Sequence, residues 1–206
     1  MQTTKNKTDP RDKNNWFDST SPKTYWSQYK KAVELALESV NDTFFIEAVS
    51  LVLDAAKKGK TIFVCGNGGS AAIAEHLTCD WTKGASSSKL KIKTQSLSSN
   101  GSLISAIAND FTYDEIFSKQ LELLANPGDV LITISSSGNS PNIIKAIEKA
   151  KIMDVKTIGF TGFQGGQSKE ISDIALHVNF SNYAIVEDAH QSVMQAMAQY
   201  IFRSMA

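Results

Sequence analysis

The run Ile134-Ser135-Ser136-Ser137-Gly138-Asn139-Ser140-Pro141 constrains this chain more than any other stretch. The apolar segment DVLITI (129–134) feeds it, and the helical pattern NIIKAIEKA (142–150) leaves it. Ser140 suits an N-cap, and Pro141 suits the first helical position, where its missing N–H costs nothing. A strand that ends in hydroxyls and runs into a helix start aims unpaired N–H groups and the positive end of a helix dipole at one point. That point suits a dianion such as phosphate. A plain Ser/Gly loop would read the same way if the stretch stood alone.

A second junction of this kind lies upstream. TIFVC (61–65) reads as a short buried strand, GNGGS (66–70) follows it, and AAIAEHL (71–77) continues as a helix. The glycines, Gly68 among them, permit positive φ and close approach of a ligand to the backbone. Ser70 is placed to cap the following helix, while Asn67 offers both a donor and an acceptor. Two strand–loop–helix junctions, both at strand C-terminal ends of an α/β pattern, point to a sugar-phosphate site.

Composition bounds the remaining classes. The 206 residues are 42% hydrophobic, enough for one domain with a substantial core. The 21 basic and 21 acidic residues cancel, so nucleic acid is not expected as a partner. No apolar run approaches the roughly 20 residues of a membrane span, and no membrane association is expected. Residues 1–22 are polar, rich in Lys, Asp, Asn and Thr, and carry no apolar core of signal-peptide length. They are expected to be a disordered leader or to lie over a neighbouring subunit. Cys65 and Cys79 do not form a CxxC metal pair, and two reduced thiols in a cytoplasmic protein are expected.

Residues 23–206 then form one domain, with helices in 23–59 and an α/β core in 60–206. Helical spacing predicts helices over Thr24–Ser39, over Thr43–Lys58 with Asp42 as cap and Gly59 as stop, and over Ala184–Met205. Strands are expected at 61–65, 91–97, 129–134, 155–160 and 174–179. Such alternation implies a parallel sheet covered on both faces, with ligands at the strand C-terminal ends.

These residues resemble the sugar isomerase (SIS) domain family, and within it the sedoheptulose 7-phosphate isomerases, or phosphoheptose isomerases. The matching segments are CGNGGSAAIAEH (65–76), SAIANDFTYDEIFSKQLE (105–122), PGDVLITISSSGNSPNIIKAI (127–147), TIGFTGFQGG (157–166) and VEDAH (186–190). The resemblance implies a three-layer α/β/α sandwich on a five-stranded, parallel, flavodoxin-like sheet. It implies a homotetramer with active sites between subunits. It implies a phosphorylated sugar whose phosphate is held by Ser135, Ser136, Ser137 and Ser140, with Asn67, Gly68 and Ser70 at the sugar. Asp110 falls where the family has an acidic residue near the substrate; a solvated Asp capping a helix fits the same residues.

Aldose–ketose isomerisation moves a proton between C1 and C2 through an enediol, and it needs a base and an acid. In similar isomerases a His and a Glu one turn later come from the helix after GNGGS. A Gln and a His eight residues on come from the last helix. Here those four positions are His76, Asp80, Glu187 and Gln195. Asp80 keeps a carboxylate on a side chain shorter by about 1.5 Å, and Gln195 does not titrate. The expected catalytic residues are Asp80 and Glu187. In several relatives the same four positions bind zinc, so His76, Asp80, Glu187 and Gln195 are candidate ligands for a divalent metal such as zinc; two carboxylates tilt the set toward harder cations. His76 and Asp80 equally suit an ordinary i,i+4 pair. His190 lies about 140° around the helix from Gln195 and is read as structural or as a partner of Glu187, and His177 as structural.

Three functions of different class fit. The first is an aldose–ketose isomerase acting on a seven-carbon sugar phosphate for cell-surface polysaccharide synthesis. The second is an SIS enzyme working on another sugar phosphate. The third is a non-catalytic phosphosugar sensor or scaffold, which loss of the acid at Gln195 favours; the carboxylates of Asp80 and Glu187 favour the first two.

Overall fold

The computed structural model describes residues 17, 21–85 and 90–204. Apart from Phe17, Ser21 and Pro22, the polar leader expected over 1–22 lies outside the described residues. Helix α1 (Pro22–Glu38) starts on Ser21, whose hydroxyl accepts from Thr24 N–H. Helix α2 (Asp42–Lys57) is capped by Asn41, not by Asp42 as expected: Asn41 Oδ1 accepts from the N–H groups of Thr43 and Phe44. Asp42 instead occupies the first turn, where its charge complements the helix dipole. Gly59 follows the helix end at φ +68°, a left-handed position that suits glycine.

Five parallel strands follow: β1 (Thr61–Gly66), β2 (Lys93–Ser96), β3 (Val130–Ser135), β4 (Lys156–Thr161) and β5 (Ile174–His177), in the spatial order β2-β1-β3-β4-β5. The expected flavodoxin-like order is therefore the observed one. The two edge strands are shorter than the sequence reading, four residues each, because a partner on one side alone sustains less ladder. The helices α3 (Gly69–Cys79), α4 (Gly101–Asp110), α5 (Ser118–Leu124), α6 (Pro141–Ile152), α7 (Gly166–Ile171) and α8 (Tyr183–Ser204) complete the layers.

Alternation along the strands builds the two faces. Ile62 and Val64 of β1, with Val130 and Ile132 of β3, pack into one cluster with Leu77, Met194 and Met197. Phe63, Cys65 and Leu131 face the other way, against Ile107, Leu121, Ile143 and Ile147. A third cluster seats Ala32 and Ala36 of α1 on Ile185 and Ala189 of α8. No helix of the described residues is long and apolar enough to cross a membrane.

What positions the site is the reversal of strand order. From β1 the chain steps outward to β2, then returns to place β3 on the other side of β1. The C-terminal ends of β1 and β3 therefore open a crevice between them. Register sets Gly66 opposite Ile134, which brings GNGGS and the serine loop together.

Candidate active site

A cleft of about 160 Å³ lies in this crevice, lined by Asn67, Ser70, Ile134, Ser135, Ser136, Ser137, Ser140, Tyr183 and Glu187. No lysine or arginine lines it, so hydroxyls and amides supply its donors. Ser140 holds the N-cap position of α6 but makes no side-chain cap bond, and its backbone carbonyl accepts from Ile143 and Ile144. Ser70 is not the cap of α3: Gly68 takes that place at φ +55°, and Ser70 lies buried in the first turn. Both hydroxyls expected to cap helices are thus left to the cleft. Ser136 Oγ is buried without a hydrogen-bond partner.

The serine loop is held from behind. Gly138, at φ +67°, leaves no room for a Cβ, which would meet the Gly165 carbonyl, and its own carbonyl accepts from Ser168 N–H at 2.9 Å. Gly162 N–H donates to the Ser136 carbonyl at 2.9 Å, and Gln167 N–H donates to Asn139 Oδ1 at 3.0 Å.

Glu187 reaches this cleft from α8. It packs against the start of α3, where a Cβ on Gly69 would stand 2.5 Å from Glu187 Oε2. Burial raises its carboxyl above the usual range, and the neighbouring Asp188 charge adds to the shift. Asp188 in turn accepts a hydrogen bond from Tyr29 Oη of α1 at 2.7 Å.

The other expected residues gather farther along the α3–α8 contact. His76 Nε2 lies 3.0 Å from Asp80 Oδ2. Gln195 Nε2 donates to Asp80 Oδ2 at 2.5 Å and lies 3.2 Å from His76 Nε2. Gln191, which the sequence reading passed over, brings Nε2 to 2.8 Å from His76 Nδ1. Asp80 opens a single π-helical stretch, Asp80–Ala85, that widens the end of α3. Asp80 and Gln195 line a second cleft with Gly84, Ala198, Gln199 and Phe202.

The structure thus joins His76, Asp80 and Gln195 but sets Glu187 beside Gly69, seven residues before His76 and about 10 Å away along the helix axis. Of the four expected ligand positions, the structure brings together one imidazole, one carboxylate and one amide. Among the described residues, no group of three or more His, Cys, Asp or Glu side chains is arranged to hold a metal. Gly68 and Asp110 do not line the cleft. Asp110 ends α4 rather than capping a helix start, exposed, and accepts from Asn109 Nδ2 at 3.0 Å.

His190 does not pair with Glu187. Its ring is buried against the edge of Phe160, with Nε2 3.1 Å from the Thr161 carbonyl, and burial holds its pKa down at about 4. His177 Nδ1 lies 3.1 Å from Thr161 Oγ1, and burial, then the Lys169 charge, lower its pKa to about 4. Tyr183 is the other residue missed: it stands one turn before Glu187 and packs on Phe163, ring centroids 4.7 Å apart. The i,i+4 spacing of Tyr183, Glu187, Gln191 and Gln195 was the available signal.

Comparison with known proteins agrees with this fold. The SIS domain family model matches residues 25–162. A phosphoheptose isomerase of Helicobacter pylori (strain P12) is 37% identical over 178 residues, covering 86% of this chain and 92% of that protein. A probable phosphoheptose isomerase of Thermoplasma acidophilum is 41% identical over 150 residues, 73% of this chain and 82% of that one. The solved phosphoheptose isomerase of Neisseria gonorrhoeae superposes with a TM-score of 0.79 at 32% identity, covering 85% of this chain and 94% of that one. The chain belongs to the SIS domain family and, within it, to the group of the phosphoheptose isomerases.

Proposed function

We propose that this protein is a phosphoheptose isomerase, interconverting sedoheptulose 7-phosphate and the corresponding aldose. The observation that carries the reading is the cleft at the switch point, lined by no Lys or Arg, where the serine loop and the α6 N-terminus face Asn67, Ser70 and Glu187. The serine hydroxyls and loop N–H groups hold the phosphate. A proton leaves C1 of the ketose to a carboxylate while the C2 oxygen takes one up; the enediol then regains a proton at C2 as the C1 hydroxyl gives one up, which yields the aldehyde.

Length favours a long sugar. An extended seven-carbon chain places C1 roughly 10 Å from the phosphorus. Such a reach supports two carboxylates as candidates for the proton transfers, Glu187 in the cleft and Asp80 farther along α3. Exposed apolar side chains on the outer helices, Trp26, Phe44, Ile46, Tyr200 and Phe202, support assembly into a homotetramer whose subunits close the sites. A phosphorylated substrate and two free cysteines, Cys65 and Cys79, support a cytoplasmic location.

The test is incubation of purified protein with sedoheptulose 7-phosphate in D2O, with and without added divalent metal, followed by NMR of the sugar. Aldose formation or deuterium at C1 is expected. Binding without exchange would leave a sensor or scaffold instead.

A further inference from the structure

Asn67 and Asn142 form a closed pair of amides across the switch point. Asn67 Nδ2 donates to Asn142 Oδ1, and Asn142 Nδ2 donates to Asn67 Oδ1, both at 2.9 Å. Asn142 belongs to the first turn of α6, is 2% exposed and does not line the cleft. Tyr113, from the short 3-10 turn Tyr113–Glu115 after α4, donates its hydroxyl to the same Asn67 Oδ1 at 3.2 Å. Two donors therefore occupy both lone pairs of Asn67 Oδ1, and one of its two amide protons is committed to Asn142. What remains is a single N–H on a side chain that lines the cleft.

We propose that Asn142 and Tyr113 are positioning residues that hold the Asn67 amide in place against an oxygen of the bound sugar phosphate. The inference rests on reading this cleft as the sugar-phosphate site. An unrestrained asparagine presents either end of its amide and so accepts from a hydroxyl as readily as it donates to an oxygen. Turning Asn67 alone in this pair sets like groups face to face and leaves the buried Asn142 unpaired, whereas turning both amides together keeps both bonds, with Tyr113 Oη then accepting from Asn67 Nδ2. The pair therefore fixes the place and plane of the Asn67 amide at the cleft, whichever end faces the sugar. Because Asn67, Asn142 and Tyr113 come from three separate segments, the same bonds fix the sugar loop relative to the serine loop.

The experiment compares Asn142→Leu, Tyr113→Phe, Asn67→Ala and the double variants for turnover of sedoheptulose 7-phosphate and for binding of inorganic phosphate. Asn142→Leu is expected to lower kcat/KM by about 10- to 100-fold, as misplacement of a contact group does. Its phosphate affinity is expected to stay near that of the wild type. Added to Asn67→Ala, Asn142→Leu is expected to cost less than about twofold more, since the two act through one contact. Equal cost in both backgrounds, or parallel loss of phosphate binding, would make Asn142 purely structural and overturn the proposal. Should Asn142→Leu not fold, Tyr113→Phe, at an exposed position, gives the same cycle against Asn67→Ala. A wild-type protein that neither turns over the sugar nor binds phosphate would instead overturn the reading of the cleft.

Discussion

Gln195 donates its side-chain amide to Asp80 Oδ2 at 2.5 Å, and the same nitrogen lies 3.2 Å from His76 Nε2. A residue that cannot titrate thus holds a carboxylate and an imidazole in one orientation. Gln195 and Gln191 together hold His76 and Asp80 in place. Asp80→Ala is expected to lower kcat by about 10²- to 10⁴-fold, the usual loss on removal of a general acid or base. Phosphate binding should be unaffected, because Asp80 does not line the cleft that holds the serines. Steady-state kinetics with phosphate titration checks both halves, and retained turnover would remove Asp80 from the reaction.

Glu187 carries the pH prediction. Burial, and then the charge of Asp188, raise its carboxyl above the ordinary range. A carboxylate that must be ionised to accept a proton loses activity as pH falls through its own raised pKa. Asp188→Asn removes the neighbouring negative charge, lowers the Glu187 pKa, and moves the acid limb of kcat to lower pH. Glu187→Gln abolishes that limb together with most of the turnover. An acid limb that stays in place in Asp188→Asn would assign it to another group.

Much of this arrangement was legible in the chain, for local reasons. Alternation at Ile62, Phe63, Val64 and Cys65 marks a strand buried on both faces, and glycine, serine and proline at two strand ends mark the loops that meet at the switch point. Cap identity was less legible. Asn41 and Asp42 are adjacent and equally suited, and Ser70 has the right chemistry two residues too deep to cap α3. What stayed hidden depends on contacts between distant segments: Asn67 with Asn142, Tyr113 with Asn67, and Gln191 with His76 are 75, 46 and 115 residues apart. His190 turned inward to Thr161 because its side of α8 is a buried stripe with Val186, Val193 and Met197.

The serine loop gives a sharper expectation for binding. Ser137 lines the cleft between buried neighbours, and the loop is braced by Gly138, Gly162 and Gln167. A bulky side chain at 137 fills the space of the anion while those braces remain. Ser137→Leu should abolish most phosphate and phosphosugar affinity with little change in thermal stability, as calorimetric titration and a melting curve would report. Unchanged affinity would move the anion site elsewhere.

His190 makes the fold sensitive to mild acid. Its pKa is lowered from 6.5 to about 4 chiefly by burial, which outweighs the opposing hydrogen bond to the Thr161 carbonyl, with a smaller lowering from the nearby His177. The unfolded chain therefore binds a proton below pH 6.5 that the folded chain refuses until near pH 4. Stability present above pH 6.5 is lost as pH falls through that window. Between pH 7 and pH 5 this one group removes about 2 kcal/mol. His177 acts in the same direction, but it is only partly buried and its share is smaller. His190→Gln can still donate to the Thr161 carbonyl yet carries no titrating proton, so its urea-unfolding free energy should fall less than the wild type's between pH 7 and pH 5. Equal acid sensitivity in the two proteins would place the titrating group elsewhere, and the buried Phe160–His190 contact would then be packing alone.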